Sequence, residues 1–290
     1  MVSRMDERMV FWNGRIVPAE QAHVRIDDAG LLHGASTFST MLARHGRVFR
    51  LDRHLKRVAD TAGLLGLAIS VDPAELTGAV SAVLEANGLT DARVRLTLTP
   101  GSLTGGEPTR LVTAEPLPDY PAEWYQRGIG VVVATFKQLP GDPTFGYKTG
   151  CYLPRILARQ EAAAKGFEEA LWYTTDGRLA EACFCNVFLV AGGKVFTPPR
   201  DTPVLPGVVR EAVLEVCDEL EISCDCQTPL TVREMLAAEE MFLTSSTMGI
   251  RPVVRVERHA VGAEKPGEVT RRIREAYEKL VEKETSENSK

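Results

Sequence analysis

Three prolines fall within seven residues at 115–121, EPLPDYP. Such a run supports neither a helix nor an interior strand, because each proline lacks an N–H and fixes its φ. The 290-residue chain is thereby cut near 118 into a shorter and a longer stretch, each with its own strand and helix signals. The expectation is two α/β domains, 1–118 and 119–290. With 44% apolar and 25% charged residues, the composition is that of an ordinary globular chain able to build both cores.

In the first stretch, residues 10–12, Asn13-Gly14 and 15–17 spell strand, tight turn and strand. A second hairpin is expected from 37–42 and 47–51 around His45-Gly46. Asp52 stands where an N-cap belongs, ahead of Leu55, Val58, Ala62 and Leu65 at helical spacing. A helix over 73–87 is closed by Gly88, 92–99 alternates like a half-buried strand, and 111–114 makes one more. In the second stretch, 130–136 reads as a buried strand and 153–165 as a helix stopped by Gly166. A long hairpin over 171–190 turns at Asp176-Gly177, and Pro206-Gly207 opens a helix to Leu220. A short strand at 240–244 and an amphipathic helix at 267–283 precede a polar tail, SENSK, expected to fray.

Several function classes drop out. The 34 basic against 39 acidic side chains give −5, which is not the footprint of a nucleic-acid binder. No apolar run approaches the roughly 20 residues of a membrane helix, and the opening residues lack the apolar core of a signal peptide. Six cysteines, all in the second half, are too few for a disulfide scaffold. A cytoplasmic protein with reduced thiols is expected. Lys148-Thr149-Gly150 resembles one element of the penicillin-interacting serine enzymes, but no serine has a lysine three places on. The C-x-C pairs Cys183/Cys185 and Cys224/Cys226 have no histidine nearby, so they read as small buried hydrophobes and no metal is expected.

What remains is a lysine, two anion cups and a misplaced carboxylate. On one continuous strand, Glu181 would share a face with Cys183, Cys185 and Val187, so it needs a partner. That partner is either a structural cation or a bound cationic ring whose N–H the carboxylate keeps protonated. Lys148, between Gly146 and Gly150 with Tyr147 and Tyr152 near, is either a solvated lysine or an amine open to close approach, which burial would make nucleophilic. Leu205-Pro206-Gly207-Val208-Val209-Arg210 sets a turn at a helix start, and 244–247 strings four hydroxyls together. Each is a plain cap or loop, or a phosphate cup. Arg57 lies just off the apolar stripe of its helix, as a surface residue or an anion ligand.

Together these parts point to pyridoxal phosphate. The segments FRLDRHLKRV (49–58), KTGCYLPRILARQEAAAKG (148–166), GRLAEACFCNVFLV (177–190), FTPPRDTPVLPGVVREAV (196–213) and EEMFLTSSTMGIRPV (239–253) resemble, in order, the class IV aminotransferases. These are the fold-type IV pyridoxal-phosphate enzymes, including branched-chain and D-amino-acid aminotransferases and aminodeoxychorismate lyase. The resemblance implies a two-domain α/β fold like that of D-amino-acid aminotransferase, with the larger C-terminal domain carrying the lysine and most cofactor contacts. It implies Lys148 as Schiff-base lysine and proton shuttle, Glu181 as the ring-nitrogen partner, and Arg57 as the phosphate-binding arginine. Val208 and Val209 would add backbone donors, and Ser246 and Thr247 further phosphate donors. Tyr152 falls in the cofactor segment one residue closer to the lysine than in branched-chain enzymes.

Substrate signals depart from each subgroup. The Arg-x-His trap of D-amino-acid enzymes is replaced by TPGSLTGGEPTR. The Tyr-Gly-x-x-x-Phe-Glu-Gly of branched-chain enzymes is replaced by His33-Gly34-Ala35-Ser36-Thr37-Phe38-Ser39-Thr40. The Phe38-Ser39-Thr40 triplet is closer to the lyases, whose KxLNRLE-like stretch is nevertheless absent. Arg95, with Arg93 on the same strand face, is either salt-bridged on an edge strand or a carboxylate contact. His33, Phe38 and Thr40 are candidate pocket residues. The expected activity is transamination between an amino acid, or related primary amine, and a 2-keto acid. Lyase action on aminodeoxychorismate and a non-catalytic metabolite binder are the alternatives. The resemblance further implies a homodimer with shared active sites.

Overall fold

The computed structural model describes residues 8–286. The chain forms two compact units, Met1–Pro118 with Lys148–Cys151 and Val281–Lys290, and Asp119–Tyr147 with Tyr152–Leu280. This differs from the linear division expected from the sequence in two segments. The lysine segment belongs to the first unit because its backbone pairs there: Lys148 O accepts the Phe38 N–H at 3.0 Å, and the Gly150 N–H donates to Ser36 O at 3.0 Å. The last turn of the final helix joins it as well, with Arg50 Nη2 donating to Glu284 at 3.0 Å.

The first unit runs β1 (Met9–Trp12), β2 (Arg15–Pro18), α1 (Ala29–His33), β3 (Thr37–Arg44), β4 (Arg47–Val48), α2 (Leu51–Leu64), α3 (Pro73–Ala86), β5 (Ala92–Thr99) and β6 (Thr109–Pro116). Its antiparallel sheet has the order β2-β1-β6-β5-β3-β4, so β5 is an interior strand and not the edge strand one sequence reading allowed. Alternation sends Ala92, Val94, Leu96 and Leu98 inward, where they are fully buried with Met41, Ala43, Leu55, Val58, Leu76 and Val83. The opposite face carries Arg93, Arg95 and Thr97, in register with Leu42, Thr40 and Phe38 of β3.

Asp52 is not the N-cap of α2. Arg50 takes that place in the left-handed conformation (φ 51°), its carbonyl accepting from the Arg53 and His54 N–H groups at 3.1 and 3.2 Å. The turn out of β4 sets this earlier start, and Asp52 sits in the first turn, where its charge suits the positive helix end. α3 follows the rule in full: Asp72 accepts from the Ala74 N–H at 2.9 Å, with Pro73 in the first turn.

The second unit runs α4 (Glu123–Gln126), β7 (Ile129–Val133), α5 (Leu153–Ala164), β8 (Glu169–Tyr173), β9 (Leu179–Ala182), β10 (Asn186–Ala191), β11 (Lys194–Phe196), α6 (Val208–Glu219), β12 (Cys224–Asp225), α7 (Val232–Ala237), β13 (Glu240–Ser245), β14 (Gly249–Val256), β15 (His259–Ala260) and α8 (Glu268–Thr285), whose end from Val281 counts to the first unit. Its mixed sheet has the order β12-β11-β10-β13-β14-β7-β8-β9, with β15 on β14 and parallel pairing of β7 to both β8 and β14. The strand expected over 178–190 is broken. The chain bends at 183–185, closed by Ala182 N–H to Cys185 O at 2.8 Å, so the two thiols leave on different sides. Cys183 packs with Val132, Ala162 and Trp172, and Cys185 with Val187, Met241 and Leu243. The shared face inferred for 181, 183, 185 and 187 therefore does not exist. No helix among the described residues is long and apolar enough to cross a membrane. Residues 287–290 of the tail, like 1–7, lie outside the described residues.

Candidate active site

In the first unit the lysine is placed by backbone. Lys148 O also accepts from Thr37 Oγ1 at 3.2 Å, and Thr149 bridges Thr37, so the segment runs as a stub of strand against the start of β3. Gly150 is required for that approach: a Cβ there would collide with Ser36 Oγ and sit 2.9 Å from Gly34 O. The half-buried side chain brings Nζ to 4.8 Å from the centre of the Phe38 ring. Arg95 lies over the same ring at 3.8 Å and donates to Thr97 Oγ1 at 3.2 Å. Phe38 is thus flanked by two of the predicted cations, and Thr40 is the register partner of Arg95. Arg93 is engaged elsewhere, its Nε donating to Glu115 at 2.6 Å. His33 is exposed on the last turn of α1.

Arg57 is not a surface residue: it is 8% exposed. Its Nη2 donates to Ser39 Oγ at 3.0 Å and lies 3.4 Å from His54 Nδ1, while Ser39 Oγ and His54 Nδ1 are 2.8 Å apart. A guanidinium only donates, so Ser39 accepts from Arg57 and passes its own O–H to the imidazole. Burial, then the positive charges of Arg57 and Lys148, push His54 well below its ordinary range, leaving it neutral and able to accept. Sequence reading missed Ser39 and His54 as its partners. The signal was present: His54, Arg57 and Thr61 form a polar stripe at helical spacing beside Leu55, Val58 and Ala62.

The second unit builds around Glu181, 3% exposed at the end of β9. Arg155 of α5 donates from Nη2 to Glu181 Oε1 at 2.5 Å and from Nη1 to the carbonyls of Ala182 and Cys183 at 3.1 and 3.0 Å. The structural-cation reading of Glu181 is therefore met. Burial works against the charge of Arg155, but the Glu181 carboxylate and the neighbouring Tyr152 and Cys183 outweigh it, and its pKa is raised. Arg155 went unnoticed in the sequence, though Arg155, Ala158 and Ala162 form the buried stripe of α5. An arginine there demands a buried anion as surely as Glu181 demands a cation.

The other carboxylate oxygen faces the start of α6. Glu181 Oε2 accepts the Leu205 N–H at 3.0 Å, and Asn186 Nδ2 reaches it at 3.5 Å while donating to Leu205 O at 2.9 Å. A Cβ at Gly207 would overlap Asn186 Oδ1 and displace the amide that bridges Glu181 and Leu205. The N-terminus of α6 has no side-chain cap, so the first-turn N–H groups of Val208 and Val209 are available to an anion. Of the four hydroxyl residues at 244–247, Thr244 and Ser245 end β13, and Ser246 and Thr247 form the turn to β14. Thr247 Oγ1 is 3.0 Å from the Tyr120 hydroxyl, and buried Thr244 Oγ1 has no hydrogen-bond partner among the described residues. Tyr152 caps the approach to α5 with its ring 5.8 Å from that of Phe184.

Comparison with known proteins bears on the family and the fold. The family profile described as amino-transferase class IV matches residues 36–256. The branched-chain-amino-acid aminotransferase of Escherichia coli strain K12 is 29% identical over 292 residues, covering 96% of this chain and 94% of its own. The D-alanine aminotransferase of Bacillus licheniformis is 28% identical over 285 residues, covering 96% and 98%. A solved branched-chain amino acid aminotransferase of Escherichia coli superposes with a TM-score of 0.90 at 28% identity, covering 98% of this chain and 97% of its own. A second solved branched-chain amino acid aminotransferase, with pyridoxamine 5'-phosphate, superposes equally well at 26% identity, covering 96% and 95%. With its two-unit α/β fold and a family match across most of its length, the chain belongs to the class IV aminotransferases.

Proposed function

We propose that this aminotransferase moves an amino group between an amino acid, or a related primary amine, and a 2-keto acid, using Lys148 as its catalytic amine. The observation that carries the reading is the linkage of Glu181, through Leu205 and Asn186, to the uncapped start of α6. A carboxylate for a ring nitrogen and N–H donors for a phosphate are thereby fixed in one network. The cofactor of this enzyme class is pyridoxal phosphate, and these donors fit it. When bound, it supplies the sink for electrons released at the substrate Cα.

Arg57 and the N–H groups of Val208 and Val209, with Ser246 and Thr247, hold the phosphate. Glu181 holds a proton at the ring nitrogen. Lys148 Nζ would hold the cofactor through its aldehyde carbon, and as a free amine it would serve as the base and acid that moves the proton at the substrate Cα. Arg95, with Phe38, Thr40 and His33, receives the donor's carboxylate and side chain. The protein works as a homodimer, supported by exposed Leu31, Leu32 and Leu103 on the first unit. A cytoplasmic setting is supported by six unpaired cysteines.

The test is an absorbance titration of the loaded enzyme with D-alanine, L-leucine, L-glutamate, an (R)-arylamine and aminodeoxychorismate in turn. One amine should convert the lysine-bound cofactor to its amino form, and Lys148→Ala should lower turnover by about 10²–10⁴-fold or more. Release of pyruvate and 4-aminobenzoate with an unchanged cofactor band would replace transamination by lyase chemistry. Failure to form any lysine-bound band would favour a non-catalytic binder.

A further inference from the structure

The grip on Glu181 is stronger than placement alone requires. Arg155 is 6% exposed, and its guanidinium is fixed at three points, to one carboxylate oxygen and to the carbonyls of Ala182 and Cys183. It cannot swing away without leaving those carbonyls unpaired. Leu205 N–H and Asn186 Nδ2 take the second oxygen. Every one of these contacts is a donor, and donors favour the charged carboxylate over the neutral acid.

We propose that Arg155 is a positioning residue acting through Glu181, which settles the proton shared between that carboxylate and the cofactor's ring nitrogen on the ring. This rests on the assignment of Glu181 to the ring nitrogen. A buried acid facing a neutral ring nitrogen can share one proton in two ways, as two neutral groups or as an anion and a ring cation. Away from water the neutral pair is favoured, because separated charges are costly to bury. Arg155 reverses that preference. Its charge touches the carboxylate, while a ring on the far side of that carboxylate is more distant. Attraction to the oxygen therefore exceeds repulsion of the ring, since both fall with distance. The ring cation, the form that best accepts electrons from the substrate, is thus set by an arginine that need not touch the cofactor.

The experiment loads the enzyme with pyridoxal phosphate carrying ¹⁵N at the ring nitrogen and reads its chemical shift. Wild type and Arg155→Lys should both show a protonated ring. Arg155→Met and Arg155→Gln should both move the shift toward the unprotonated ring, and kcat should fall about tenfold or more with KM for the amino donor little changed. The Gln variant keeps donors for the carbonyls but not the charge, so it decides the matter if the Met variant does not fold. A wild-type shift in a folded, charge-lacking variant overturns the proposal, as does loss of the protonated shift in the Lys variant. Glu181→Gln separates the two assignments. If it leaves the ring shift unchanged, the assignment of Glu181 itself fails. If it moves the shift and Arg155→Gln does not, only the role of Arg155 fails.

Discussion

The two units solve the same problem, an isolated charge in a protein interior, in different ways. In the first, Arg57 is steadied by a hydroxyl and an imidazole that burial keeps neutral. In the second, Glu181 is matched by a full opposite charge. A charge held by neutral dipoles keeps its field for a ligand, and its network depends on pH through the imidazole. A charge held by an ion pair is matched within the fold but is costly to break. The first arrangement suits an anion receptor, and the second suits a group that must stay in one place.

The largest effect should come from breaking the ion pair. Arg155→Met leaves a buried carboxylate without its cation, and urea denaturation should show a loss of about 3–5 kcal/mol. Arg57→Met removes hydrogen bonds to neutral partners and should lose no more than about 1.5–3 kcal/mol. Equal losses would erase the contrast.

Both networks were half legible in the sequence. Strand β5 could be read to its ends because alternation is strict from Ala92 to Thr99, and α3 to within a residue because Pro73 and Gly88 bracket it. Glu181 and Lys148 stood out as charges in unusual settings. Their partners did not, because Arg155 and Glu181 lie 26 positions apart and meet only when α5 packs on β8 and β8 pairs with β9. The bend at 183–185 was invisible to alternation, which counts residues and assumes a straight strand. Strand β14 was missed because Pro252 interrupts it, although Pro252 lies opposite Phe242 within the sheet.

A smaller effect sharpens the comparison through pH. His54 titrates lower in the folded protein than its unfolded value near 6.5. Above that value both states are neutral, and this term of stability is fully present. As pH falls below it the unfolded chain takes up a proton that the fold refuses, so stability is lost at up to about 1.4 kcal/mol per pH unit. The stability difference between wild type and His54→Gln should therefore shrink between pH 7 and 5. A constant difference would mean that the imidazole is not held neutral.

The smallest signal is chemical. Burial pushes the Cys183 and Cys185 thiols up to about 12 and 11, whereas Cys151 is exposed in the lysine segment of the first unit. Iodoacetamide at pH 8 should label Cys151 well ahead of that pair, by peptide mass mapping. Prior labelling of Cys183 or Cys185 would show that the second unit opens more readily than its packing implies.

The pairing of Lys148 with β3 joins residues 111 positions apart, Thr37 and Lys148. A contact of such sequence separation closes only after a long loop has been ordered, which places it late among folding events. A chain still folding therefore holds Lys148 in an unformed setting until its segment has paired with the start of β3. On the role proposed for Lys148, the aldehyde of a free cofactor would meet an ordinary lysine in that interval, and attachment would follow completion of the first sheet.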